Sequence, residues 1–217
     1  MQTRKLWSLG LFAVAMAYLE AAVVVYLRQL YGIDDLMTSV PPFDPATGLI
    51  EVGREAATLV MLLTVGWAAG KRFQSRLGFA LFAFGLWDIF YYLWLRVFIG
   101  WPASLLSMDI LFLIPLPWWG PVIAPVLIAA LMAAGGLRLI QLDDLGLAAR
   151  FRPLHWAALG GGILLVLYTF MTDALALLPA DVQALSQVKP TAFNWPVYAL
   201  GLVMAALAIW LATAIDE

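Results

Sequence analysis

Five stretches of roughly twenty residues each carry no more than one charged side chain: 6–27, 77–95, 121–140, 153–178 and 190–215. An α-helix rises about 1.5 Å per residue, so about 20 apolar residues match the hydrocarbon thickness of a bilayer. A sixth stretch, 49–70, is as long but opens with Glu51, Arg54 and Glu55. Apolar residues make up 64% of the 217 and charged ones 12%, where a soluble domain has about half and about a quarter. A chain this short cannot bury that surplus away from water. The expected fold class is therefore all-α: one polytopic membrane bundle over 1–217, with about six transmembrane helices near 6–27, 49–70, 77–95, 121–140, 153–178 and 190–215.

The segment 103–137 is too long for one crossing and holds Pro115, Pro117, Pro121 and Pro125. Proline lacks a backbone donor and clashes with the preceding helical turn, so Ile114–Pro121 is not expected to be continuous helix. The reading is a short Pro-broken outer helix over 103–114, re-entrant or interfacial, with Trp118 and Trp119 in the break and the fourth span after it.

Basic residues orient the bundle. With the N-terminus cytoplasmic, Arg4, Lys5, Lys71, Arg72, Arg76, Arg138, Arg150 and Arg152 fall inside, and only Arg28, Arg54, Arg96 and Lys189 fall outside. The positive-inside rule then places both termini in the cytoplasm, in a membrane of the bacterial inner type. The first apolar run is longer than the core of a typical signal peptide, so it is expected to be a retained helix. Gly66 with Gly70, and Gly160, Gly161 and Gly162, are expected to let helices pack closely within the chain.

Absences narrow the chemistry. Without cysteine there is no disulfide and no thiolate metal site, and the single histidine, His155, excludes bis-His haem and His-rich zinc. The net charge of −2 offers nothing to nucleic acid. The final span lacks the lysine that a retinal Schiff base needs, and there is no GxSxG, HExxH, Walker A or GxGxxG pattern. Partners are therefore expected among membrane lipids and other membrane subunits.

Charged groups inside a bilayer are costly and rarely persist without a partner or a task. In the six-span topology Glu20, Glu51, Arg54, Glu55, Asp88, Tyr91, Tyr92, Arg96, Asp109 and Asp173 all fall in the outer half. Glu51 and Glu55 share a helix face, as do Asp88, Tyr92 and Arg96. The expectation is an outward-facing acidic and aromatic pocket, walled also by Tyr18, Trp87 and Trp195. Glu20, Glu55, Asp88 and Asp173 could supply oxygen ligands to a hard divalent cation. The same carboxyls could instead relay protons, or Arg54 and Arg96 could clamp an anionic headgroup.

Three functions follow. The first is binding or moving a small cation or a proton-coupled solute. A second is an enzyme acting on a lipid-like or quinone-like substrate that enters sideways from lipid. The third is an accessory subunit of a larger membrane complex.

Overall fold

Each long apolar run folds as one uninterrupted helix. The computed structural model describes residues 2–33, 45–179, 185 and 188–214. Its elements, in chain order, are α1 (Thr3–Tyr31), α2 (Pro45–Ala69), α3 (Phe73–Ile99), β1 (Met108–Phe112), β2 (Trp118–Pro121), α4 (Ile123–Asp144), α5 (Pro153–Ala176) and α6 (Trp195–Thr213). Among the described residues, five helices are long and apolar enough to cross a membrane, namely α1, α3, α4, α5 and α6. The fold is thus compatible with an integral membrane protein. The remaining helix, α2, is 25 residues long and carries Glu51, Arg54 and Glu55 in its first turns. Ile215, the last residue of the expected final span, lies outside the described residues.

Local signals set the helix ends. Gly32 and Gly100 stop α1 and α3 in the left-handed conformation that a residue without Cβ adopts freely. Pro153 occupies the first turn of α5, where its missing N–H costs nothing, and the Asn194 side chain accepts from the Val197 N–H to start α6.

The expected short helix over 103–114 does not form. Residues 108–121 instead make an antiparallel hairpin, with Asp109 opposite Gly120 and Ile110 opposite Trp119. Four prolines between 102 and 121 would leave helical carbonyls without donors, whereas strand pairing uses the N–H groups that remain. The segment before β1 is tied down as well: Val122 N–H donates to Ser107 O and Ile123 N–H to Leu105 O. The fold is helical apart from this hairpin.

The hairpin marks one end of the bundle. At that end α1, α3 and α5 finish and α2, α4 and α6 begin. The centre is α3, which packs on α1, α2 and α4, while α5 packs on α6 and on β2. Small residues permit these approaches. A Cβ on Gly136 of α4 would lie 2.5 Å from Gly78 O of α3, and one on Gly162 of α5 would lie 2.5 Å from Gly201 O of α6. Gly66 likewise meets the backbone of Ala80 and Gly70 that of Arg76, and Gly161 and Gly162 face α6, whereas Gly160, also expected to pack, has nothing within 4 Å of its Cβ position. Gly120 lets the hairpin rest on Phe170, where a Cβ would come within 2.8 Å of the ring.

Candidate functional site

Because α2 packs on α3 and α5 packs on α6 and the hairpin, a space remains between the two arms over a floor of α3 and α4. It is a cleft of about 930 Å³. Leu77, Leu81, Ile128, Leu131, Met132, Ile163, Val166, Leu202 and Ile209 make its long walls apolar. Phe73, Leu77, Trp156 and Ile163 line it yet remain more than a third exposed, so it opens on the side of the bundle. The 15 residues from Phe73 to Asp88, both in the lining, give a depth of about 22 Å along α3.

The hairpin end of the cleft is polar. Glu20, Arg28, Glu51, Arg54, Glu55, Asp88, Tyr91, Tyr92 and Asp109 gather there from α1, α2, α3 and β1. Arg54 is the hub of one group: its guanidinium pairs with Glu20, and its Nε donates to Glu51 at 2.8 Å. Thr58 completes Glu20 with a hydroxyl hydrogen bond of 3.2 Å. Glu55 accepts the backbone N–H of Leu113 at 3.1 Å on both oxygens, which ties α2 to the residue just after β1.

The second group centres on Asp109, 3% exposed. Arg28 of α1 lies 3.6 Å from its carboxylate and stacks 4.1 Å above the Trp101 ring. The Tyr92 hydroxyl donates to the other oxygen at 3.2 Å. Burial raises the Asp109 pKa to about 6; Arg28 and the Tyr92 hydrogen bond oppose that rise without cancelling it.

Asp88 lies within electrostatic reach of Asp109 in the second group. No hydrogen bond or ion pair engages its carboxyl among the described residues. Tyr91, one turn on, is likewise without a hydrogen-bond partner and lies within electrostatic reach of Asp88, Asp109, Arg28 and Arg54. Trp87, 4% exposed, lines the cleft with an indole N–H that has no partner among the described residues. Trp87 stacks on Tyr91 at 6.4 Å and meets the Phe84 edge at 5.4 Å, so one face of α3 carries an aromatic panel beside the Asp88 carboxyl.

The fold therefore gathers Glu20, Glu51, Arg54, Glu55, Asp88, Tyr91, Tyr92 and Asp109, and leaves the other expected residues apart. Asp173 accepts from the Thr191 hydroxyl and N–H, at 2.6 and 3.2 Å, and does not line the cleft. Arg96 donates to the carbonyls of Gly100 and Pro102, closing the end of α3. Tyr18 and Trp195 are part-exposed and pack on other aromatics away from the cleft. Of the four carboxyls expected around a divalent cation, only Glu20, Glu55 and Asp88 reach the cleft. Among the described residues no three Asp, Glu or His side chains are grouped as metal ligands. Arg54, expected as half of an anion clamp, is occupied by two carboxylates.

Arg28, near the end of α1, is buried, 8% exposed, against Asp109. Thr58, Trp118 and the Leu113 N–H are further parts of the site without an advance signal, since Thr58 depends on how α2 meets α1 and the other two on where the hairpin lies. Comparison with protein-family models, curated proteins and solved structures gives no match.

Proposed function

We propose that the protein is a six-crossing membrane protein that holds an amphipathic, lipid-like molecule in the lateral cleft, with its apolar tail along α3 and α4 and its polar end at Asp88 and Tyr91. The observation that carries this reading is the cleft itself. Its volume lies within the range of pockets that enclose small molecules, it is apolar over most of its length, and its charged side chains are confined to one end. A lateral opening suits a molecule that arrives from the bilayer rather than from water. Helix parity puts Arg4, Lys5, Lys71, Arg72, Arg76, Arg138, Arg150 and Arg152 at the end opposite the hairpin, which supports a cytoplasmic placement of that end in an inner-type membrane.

A bare divalent cation is the weaker occupant. Such ions take six to eight oxygen ligands, whereas Glu20, Glu51, Glu55 and Asp109 already accept from donors in the protein. The test is extraction in mild detergent followed by native mass measurement and solvent extraction of the same sample. Wild type is expected to retain one amphiphile per chain. Met132→Trp, which fills the apolar part of the cleft, is expected to lose it at an unchanged unfolding temperature. A wild-type protein that carries no amphiphile and takes none up from added lipid refutes the reading.

A further inference from the structure

Resting on the cleft reading above, we infer that the polar end of the occupant is a cation: the site is built for a lipophilic ammonium, held by the Asp88 carboxyl and the aromatic panel of Phe84, Trp87 and Tyr91. Charge complementarity is the first argument. Five carboxyl groups line the cleft against two guanidinium groups, an excess of three acids. Neither guanidinium is available to a ligand. Arg54 is shared between Glu20 and Glu51, and Arg28 is fixed between Asp109 and the Trp101 face. An alkyl phosphate or carboxylate would thus meet acid excess with no free cation to receive it.

Asp88 supplies the second argument. Among the described residues it is the one cleft carboxyl with neither a hydrogen bond nor an ion pair, and it sits where the apolar walls end. An unpartnered acid inside a membrane protein is costly unless something neutralises it. The third argument is the panel. Trp87 and Tyr91 are stacked at an interplanar angle of 25°, with Phe84 edge-on to Trp87; Phe84 and Tyr91 lie one helical turn to either side of Asp88, and Trp87 precedes it directly. Aromatic faces attract ammonium groups through their quadrupoles, most strongly where water is excluded. An aromatic surface beside a lone carboxylate favours an organic ammonium over a small, strongly hydrated metal ion, which would demand more oxygen ligands than Asp88 offers.

The experiment uses the full chain in nanodiscs and four probes with the same tail: decyltrimethylammonium, decyl phosphate, decanol and decylubiquinol. Binding is read by tryptophan fluorescence and confirmed by retained probe per protein. The ammonium probe is expected to bind at least about tenfold more tightly than the other three. Asp88→Asn is expected to remove that preference while leaving decanol affinity unchanged, and Tyr91→Phe with Trp87→Leu to reduce it. If the phosphate or the quinol binds best, or Asp88→Asn leaves the preference intact, the cationic assignment is overturned and the amphiphile cleft stands. If no probe saturates, both readings fall. Should Asp88→Asn not fold, the ranking of the four probes on wild type decides the matter alone.

Discussion

Arg54 of α2 pairs with Glu20 of α1 across 34 positions of sequence, and so ties together two helices that otherwise touch little. The partners are 23% and 13% exposed, so water screens the pair only in part. Removing one member of a poorly solvated pair costs more than removing both, because the survivor keeps its desolvation penalty.

Arg54→Met is accordingly expected to destabilise the protein by about 3 kcal/mol, and the double change Glu20→Met with Arg54→Met to restore part of that loss, since Glu51 still lacks its partner. Thermal unfolding in detergent checks both. A double variant no more stable than Arg54→Met would show that the pair is not the cause.

Asp109 gives the stability a pH dependence. Its folded value of about 6 lies above the ordinary 3.8, so the native state holds the proton more tightly than the unfolded chain. The stability this contributes is fully present below 3.8 and is lost as pH rises through about 6. Relative to Asp109→Asn, which keeps an acceptor for Tyr92, wild type is expected to gain stability as pH is lowered from about 7.5 to about 4.5. Parallel profiles for the two proteins would refute this.

Gly136 and Gly160 are expected to respond in opposite ways to the same change. Gly136→Ala places a methyl against the Gly78 carbonyl and is expected to cost about 1–3 kcal/mol as α3 and α4 are forced apart. Gly160 has nothing within 4 Å of its Cβ position, so Gly160→Ala is expected to be neutral or stabilising by up to about 1 kcal/mol. Unfolding midpoints of the two variants settle the contrast.

Two tryptophans of α3 differ in their polar atom. The Trp94 indole N–H donates to the Val14 carbonyl of α1 at 3.1 Å, whereas that of Trp87 has no partner among the described residues. Trp94→Phe is therefore expected to destabilise by about 1 kcal/mol more than Trp87→Phe. Equal losses in thermal unfolding would show that the Val14 hydrogen bond contributes nothing.

How much of the site could be read in advance is clearest at Asp88 and Asp173. Both are single acids in apolar runs, and nothing local separates them. Asp88 lines the cleft without a partner among the described residues, while Asp173 is satisfied by Thr191, 18 residues along the chain. Arg28 and Arg96 differ in the same way: each lies near a helix end, yet one is buried under the hairpin and the other closes its own helix. The hairpin was equally hidden. Prolines 115, 117 and 121 announce that helix must stop, but not that Asp109 will pair with Gly120.

Apolar run length, proline punctuation and the parity of the runs determined, by themselves, the long helices to within a few residues of their ends and the break before α4. These properties depend on residues within a few turns of each other, because helical hydrogen bonds and lipid matching are local. Which carboxyl meets which arginine, and whether a cleft remains open, was decided only by the order of helices around α3 and by a hairpin laid over α2 and α5. Contacts such as Glu55 with the Leu113 N–H span 58 residues. Between helices equally apolar on every side, close packing of small residues such as Gly78, Gly136, Gly162 and Gly201 selects the neighbours, and that selection exists only in three dimensions.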